Sequence, residues 1–417
     1  MGLLFPDSAV VVLGDQNTVE QIKNTVTKRG FEFVQVQSLQ LGAYRLQKIH
    51  TQLIILDSDY PEFSREGVDL LFKKNPKVKN IPIVLLTRSA GKLSDFNSDS
   101  YQNIEIVEKS RGNAVSREID KYLEPSIILK FWGVRGSTPS ANIEQMKYGG
   151  NTTCLQIESP YFNEILILDS GTGIRNLGNE IAERINNQAS GHLFITHPHW
   201  DHIQGFPFFK PFYLNKNSFK IHMPEQYRGG TEEILAGHMT KTFFPVTLDM
   251  FEADIEYVSQ KEQIEEYNGF TVEYMVANHP TKTAMYKIQI GGYIIVFAPD
   301  NELSADPSPI RFMDKFEHFI SDCDLLIHDA QFDRETYKER LGWGHTAWED
   351  IVEVARRCNV KRLYLTHHDP DSTDEYLDRI NKKLESYIGN PFREIELAKE
   401  GAVIKLPLTK ALQKHQV

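Results

Sequence analysis

An apolar run at residues 193–195 ends at Thr196, and His197, His199, Asp201 and His202 follow within the next six positions. An apolar run cut off this sharply reads as a buried strand. Alternate side chains of an extended segment share a face, so His197 and His199 reach one point together. The chain then turns, and Asp201 and His202 fall on a second point beside the first. Imidazole and carboxylate groups suit zinc, manganese or iron, with no thiolate among them to narrow the choice. A histidine-rich surface turn is the plain alternative. This density of ligand types directly behind a strand favours a metal site. The missing ligands must come from distant loops that converge on the same place.

With 417 residues the chain has room for two or three domains and a sizeable core. A formal net charge of -11 argues against broad nucleic-acid binding, which usually shows a basic stripe. The three cysteines, Cys154, Cys323 and Cys358, form no C-x-x-C pair, which suits a reducing compartment rather than a disulfide framework. There is no leader-like segment and no apolar stretch of membrane-spanning length, so the expectation is a cytoplasmic protein without a membrane partner. Of the 14 histidines, only His50 lies in residues 1–190. The chemistry is therefore expected in the second part of the chain.

Residues 1–124 alternate strand-like and helix-like patterns. The segments 9–13, 31–36, 53–56, 83–86 and 104–107 read as strands, and 19–29 has helical spacing before Gly30. This alternation predicts an α/β fold, a doubly wound parallel sheet. Functional residues of such sheets sit at the C-terminal ends of the strands, where Asp57, Thr87 and Lys109 fall. That trio, with the D-x-x-x-P turn from Asp57 to Pro61, resembles the receiver domain of two-component response regulators. The resemblance implies Asp57 as phospho-acceptor, Thr87 and Lys109 facing the phosphoryl group, a magnesium ion held in part by Asp15, and a histidine kinase or other signalling partner. Receivers carry an acidic pair after the first strand, whereas Gly14 precedes Asp15 here, and Ser110 stands where the family prefers proline. A degenerate receiver kept for docking or dimerisation is the alternative, and an oligomer is compatible with either.

Pro125 marks the boundary to a second domain at 126–408, with 409–417 as a tail. Strands are expected at 127–132, 154–157 and 165–168, and a helix at 174–184. Glycine-rich turns at 133–139, 148–154 and 169–173 read by spacing alone as chain reversals. The H-x-H-x-D-H pattern resembles the signature of the metallo-β-lactamase superfamily. The order of the later motifs is similar to the branch holding RNase Z and phosphodiesterases of cyclic phosphates. The resemblance implies a four-layer αββα sandwich with two metals at one end. It matches His279, after the strand 271–275, to a third histidine, ahead of His222 and His238, which lack the expected strand pair at 284–290 and 293–297. It matches Asp300 to the aspartate that bridges both metals. It matches His367, at the end of the strand 362–365, to the last histidine, with His368 pointing the other way. His345, in a Gly-His-Thr segment leading into a helix, matches a catalytic histidine.

The first metal would then take His197, His199, His279 and Asp300, and the second Asp201, His202, His367 and the same Asp300. Zinc is the expected ion, with manganese or iron as alternatives. Two such cations favour in-line attack of water on phosphorus, with Asp201 orienting that water and His345 protonating the leaving alkoxide. Diiron relatives carry a carboxylate where His199 stands, and zinc β-lactamases lack the bridging aspartate, so Asp300 favours a phosphodiesterase. The stretch 203–270 lacks a basic arm and holds an aromatic run at 206–213, in which the rings either wall a pocket or pack a core. The expected function is hydrolysis of a small or cyclic phosphodiester, regulated through the receiver-like domain. An RNase Z-like endonuclease and a receiver-linked metal scaffold without turnover are the alternatives.

Overall fold

The structure is a computed structural model. It describes the chain except residues 1–4, 29–30, 47–50, 75–80, 90–103, 110–114, 116–117, 120–121, 124–125, 160–163, 184–187, 304–308 and 409–417. Pro125, Ser110 and the expected tail thus lie outside the described residues. The chain forms two compact units, one holding Met1–Ser126 with two short returning segments, the other beginning at Ile127.

The first unit runs β1 (Phe5–Leu13), α1 (Gln16–Lys28), β2 (Phe31–Val36), α2 (Leu39–Arg45), β3 (Thr51–Asp57), α3 (Arg65–Lys74), β4 (Ile83–Thr87) and β5 (Ile104–Glu108). Its five strands are all parallel, in the order β2-β1-β3-β4-β5. The strands are apolar on both faces because helices cover both. Val10 and Val12 pack with Val19, Ile22 and Val26 of α1, while Val11 and Leu13 pack with Leu39 of α2 and Val68 of α3. The strand order reverses between β1 and β3, the switch point where doubly wound sheets open a crevice. Asp15 and Asp57 stand at the ends of those two strands.

The second unit contains β6 (Ser126–Gly133), β7 (Cys154–Glu158), β8 (Ile165–Leu168), α4 (Ile174–Glu183), β9 (Ser190–Phe194), α5 (Trp200–Ile203), β10 (Ser218–Pro224), α6 (Thr231–His238) and β11 (Asp254–Gln260). It continues with β12 (Ile264–Tyr267), β13 (Phe270–Val276), β14 (Ala284–Ile290), β15 (Tyr293–Ala298), α7 (Pro309–Ile320), β16 (Leu325–Asp329), α8 (Arg334–Tyr337), α9 (Trp348–Arg357), β17 (Arg362–Thr366), α10 (Asp374–Leu384), β18 (Glu394–Leu397) and β19 (Val403–Pro407). Two seven-stranded sheets result, ordered β11-β10-β9-β8-β7-β6-β19 and β12-β13-β14-β15-β16-β17-β18.

The period of two along each strand sorts side chains between inner and outer faces. Inward, Phe194 of β9 meets Tyr286 of β14 with ring centroids 5.4 Å apart, and Phe131 of β6 meets Tyr364 of β17 at 5.7 Å. Outward, Leu193 packs with Ile174, Leu177 and Ile181 of α4. The second sheet's outer residues Val296, Leu326 and Leu363 pack with Phe316 of α7, Ile351 of α9 and Leu377 of α10. This gives helix, sheet, sheet, helix in layers, as expected. The aromatic run 206–213 belongs mostly to the core: Phe206, Phe209 and Phe212 are wholly buried and pack against Phe219 and Phe251. Core packing, not a pocket wall, explains those three rings, and Phe208 alone of the four phenylalanines is exposed. Among the described residues no helix is long and apolar enough to cross a membrane.

Candidate metal centre

The ends of several strands deliver the second unit's acids and histidines to one place. β9 stops at Phe194, the chain bends at Thr196, and after His199 it enters the single-turn helix α5, which carries Asp201 and His202. His279 follows β13, Asp300 follows β15 and His367 follows β17. Asp300 is 1% exposed and central to the group. Its Oδ2 lies 3.0 Å from His202 Nε2 and 3.4 Å from His367 Nε2, and its Oδ1 lies 4.0 Å from His197 Nε2 and 3.9 Å from His279 Nε2. His279 Nε2 is 3.2 Å from His199 Nδ1, and Asp201 Oδ2 is 3.0 Å from His367 Nε2. The chain therefore brings together all seven residues singled out as metal ligands.

Their ligand atoms fall into overlapping sets: His197 with His199 and His279; His197 with His202 and Asp300; Asp201 with His202 and His367. Each set lies within 4.8 Å, a span one ion can bridge. His197 Nε2, His202 Nε2 and Asp300 Oδ2 are buried and make no hydrogen bond. Buried polar atoms are normally paired, and lone pairs aimed at a common point are what a cation satisfies. The donor set, all imidazole and carboxylate, fits divalent zinc, manganese or iron.

The opposite edges of these rings are held by neighbours. His202 Nδ1 donates to Asp169 Oδ2 at 2.8 Å, and Thr196 donates its backbone N–H to Asp169 Oδ1 at 2.7 Å. His279 Nδ1 donates to Gly344 O at 3.1 Å. Thr281 Oγ1 stands 3.0 Å from His199 Nε2, leaving Nδ1 as the inward atom of that ring. Ser137 donates its amide to Asp201 Oδ2 at 2.7 Å, and Gly136 packs so close to His367 that a Cβ there would stand 2.3 Å from Nδ1. Ser137, Asp169 and His367 have φ of 60°, 62° and 61°, a strained region for side-chain-bearing residues that clusters here at the site.

His345 lies at the same place. Its Nδ1 is 2.6 Å from Asp329 Oδ2 and 3.8 Å from Asp300 Oδ1. Asp329 and His345 also come within ligand range of Asp300 and His367. Asp329 is already engaged, however, since its Oδ1 accepts from Gln331 N at 2.9 Å. The turns at 133–139 and 169–173, read from spacing as chain reversals, do more than reverse the chain, because Gly136, Ser137 and Asp169 all touch candidate ligands. In the sequence Asp329 reads only as the acidic residue closing a strand and Asp169 only as the start of a turn, with no role given to either. The signal available for both was an aspartate directly at the end of an apolar strand. His368 turns away, its Nε2 donating to Ala398 O at 2.8 Å, and His222 is buried against His192 rather than near the centre.

Charge within the cluster follows from burial and from the acids. Burial holds His197 well below the ordinary imidazole range. Burial also opposes protonation of His202 and His367, but Asp300 and Asp201 outweigh it, raising His202 well above the ordinary value and His367 to about 9. Burial alone would raise Asp201 and Asp300, yet the surrounding imidazoles hold both well below the usual carboxylate range. The acids thus attract positive charge strongly, as a cation site requires.

In the first unit Lys109 Nζ lies 2.5 Å from Asp57 Oδ1 and 3.1 Å from Asp59 Oδ2. Thr18 donates its hydroxyl to Asp57 Oδ2 at 3.1 Å. Asp57 and Thr87 are buried at the ends of β3 and β4. Asp15 Oδ1 accepts the Thr18 amide at 2.8 Å at the start of α1, which lowers the Asp15 carboxyl.

Residues 166–368 match the Beta-lactamase superfamily domain. The C-terminal part of the chain has a metallo-β-lactamase fold. Ribonuclease Z of Staphylococcus aureus (strain MSSA476) is 24% identical over 278 residues, covering 55% of this chain and 85% of the relative. Unliganded yeast PDE1 superposes with a TM-score of 0.51 at 14% identity, over 68% of this chain and 100% of that one. The short form of human tRNase Z gives 0.47 at 18% identity, over 67% and 99%.

Proposed function

We propose that the metallo-β-lactamase fold of this chain is a dinuclear-metal phosphodiesterase. The observation that carries the reading is the convergence of buried imidazole and carboxylate atoms around Asp300. One ion is assigned to His197, His199, His279 and Asp300, the other to Asp201, His202, His367 and Asp300. Two divalent cations so held supply Lewis acidity toward a phosphoryl oxygen and acidify water near neutral pH.

The chain's own residues supply the proton handling. Asp201 receives the Ser137 amide and lies beside His202 and His367, so its carboxylate is fixed in direction and can orient the attacking water. His345 gives Nδ1 to Asp329, so Nε2 is the nitrogen from which it can protonate a departing alkoxide.

The substrate is assigned as a small or cyclic phosphodiester. The acidic net charge of -11 and the absence of a basic arm in 203–270 support this over a polyanionic RNA. The likeness to ribonuclease Z supports the second reading, cleavage of precursor tRNA. Hydrolysis of bis-p-nitrophenyl phosphate with added zinc or manganese is the expected result. No turnover with both metals bound would leave a metal-holding scaffold instead. A panel of cyclic nucleotides set against precursor tRNA separates the two substrate classes.

The first unit is assigned as receiver-like, with Asp57 as phospho-acceptor. The strand order and the Lys109 and Thr18 contacts to Asp57 support this. Treatment with acetyl phosphate and magnesium should add one phosphoryl mass to the protein and none to Asp57→Asn. A mass shift that survives the substitution removes Asp57 from the role.

A further inference from the structure

The loop 342–345 meets the metal centre at Gly344, whose carbonyl accepts from His279 Nδ1, and His345 follows directly in the chain. A Cβ on Gly344 would stand 2.2 Å from His279 Nδ1, so only glycine permits this approach. Gly342 and Gly344 have φ of +84° and +89°, which glycine adopts readily. Both turn their amides toward one carboxylate. Gly342 N donates to Glu302 Oε1 and Gly344 N to Glu302 Oε2, each at 2.8 Å, and the Tyr337 hydroxyl donates to Oε1 at 2.6 Å.

Glu302 is 2% exposed, two residues beyond Asp300. Its backbone is tied to the segment that carries His279. Glu302 N donates to Asn278 O at 2.9 Å, and Asn278 Nδ2 donates to Glu302 O at 2.8 Å. One buried acid thus joins the segments bearing Asp300, His279 and His345. A buried carboxylate is costly unless its oxygens are hydrogen-bonded, and here three donors offset that cost.

We propose that Glu302 is a positioning residue for the metal centre. Through Gly344 it fixes His279 as the Nδ1–H tautomer, with Nε2 directed toward Asp300, and through the same loop it sets the entry of His345. A neutral imidazole carries one ring proton, so the bond to Gly344 O decides which nitrogen is free to bind a metal. The carboxylate holds the two glycine amides on the far side of the loop and so keeps the Gly344 carbonyl facing His279. The metal consequence rests on the metallohydrolase reading above; the tautomer consequence does not.

The test compares the full chain with Glu302→Gln, using Tyr337→Phe as a control that removes one bond to Glu302 and leaves both glycine amides. Three quantities are read: the His279 tautomer by ¹⁵N NMR of metal-free protein, zinc affinity by chelator competition, and kcat and KM on bis-p-nitrophenyl phosphate. Glu302→Gln should show a tautomer mixture at His279, zinc affinity lower by about 10–100-fold and a reduced kcat with little change in KM. Tyr337→Phe should stay near wild type in tautomer and affinity. A folded Glu302→Gln with the wild-type tautomer and zinc affinity overturns the proposal. Should that variant not fold, Glu302→Asp, which withdraws the charge by one methylene, must show the tautomer mixture, and a wild-type tautomer in it overturns the proposal equally. Loss of turnover in zinc-loaded wild type would count against the enzyme reading alone, because tautomer and affinity are read without turnover.

Discussion

His345 and Asp169 separate two kinds of dependence at this centre. His345 hands its Nδ1 to Asp329 and is assigned a proton-transfer role, so His345→Ala should lower kcat by about 10²–10⁴-fold. The same variant should retain its full metal content by elemental analysis, because seven other donors remain in place. Loss of metal along with rate would make His345 a ligand instead. Asp169 acts one step further back, since its carboxylate holds His202 Nδ1 and both donors of Thr196. Asp169→Asn keeps one acceptor oxygen but also brings a donor amide. It should weaken metal binding about 10–100-fold in a chelator titration, and unchanged binding would reduce Asp169 to a turn residue. In the sequence the two aspartates looked alike, each a polar residue after an apolar run. The reason for placing Asp169 at a φ of 62° became visible only with its partners 27 and 33 residues away.

At the scale of elements, strand ends and strand faces carry different duties. The extended segment after β6 passes so close to β17's end that Gly136→Ala would drive a methyl into the His367 ring. That variant should fold with a near-normal thermal transition yet bind less than the full complement of metal by elemental analysis. Full metal content would show that the ring can move aside. Between the sheets, His192 of β9 and His222 of β10 lie 3.0 Å apart through Nδ1 and Nε2. Burial lowers His192 to about 4 and His222 to about 3, whereas the ordinary value is 6.5. The unfolded chain therefore takes up protons on these rings as pH falls below 6.5 while the folded chain does not. Their stabilising contribution is complete above the ordinary value and is lost as pH falls through the folded values. Urea unfolding at pH 7 and pH 5 should show a smaller drop in stability for His222→Gln than for wild type, and an equal drop would assign the acid sensitivity elsewhere.

For the molecule as a whole, ions that bind only the folded centre add stability by mass action. At a free metal concentration of 100 times Kd the gain is about 2.7 kcal/mol, a rise on the order of 4–5 °C for a unit of this size. Calorimetry with zinc against EDTA should show that rise in the metallo-β-lactamase unit, and identical transitions would mean the donors do not hold metal in solution. The apolar alternation along residues 1–124 and 126–408 determined the strands and helices, because a pattern of two or of 3.6 residues reports directly which face is buried. The motif order, through its resemblance to a known family, likewise made the histidines and Asp300 legible, and His197, His279, Asp300 and His367 each stand just past an apolar strand. Tertiary structure alone decided which ring nitrogen faces inward, that Asp169, Asp329 and Glu302 hold the site, and that Phe206, Phe209 and Phe212 are core. Spacing along a strand records only the direction of a side chain. What it meets there is set by the packing of one sheet on another, by segments far removed in sequence.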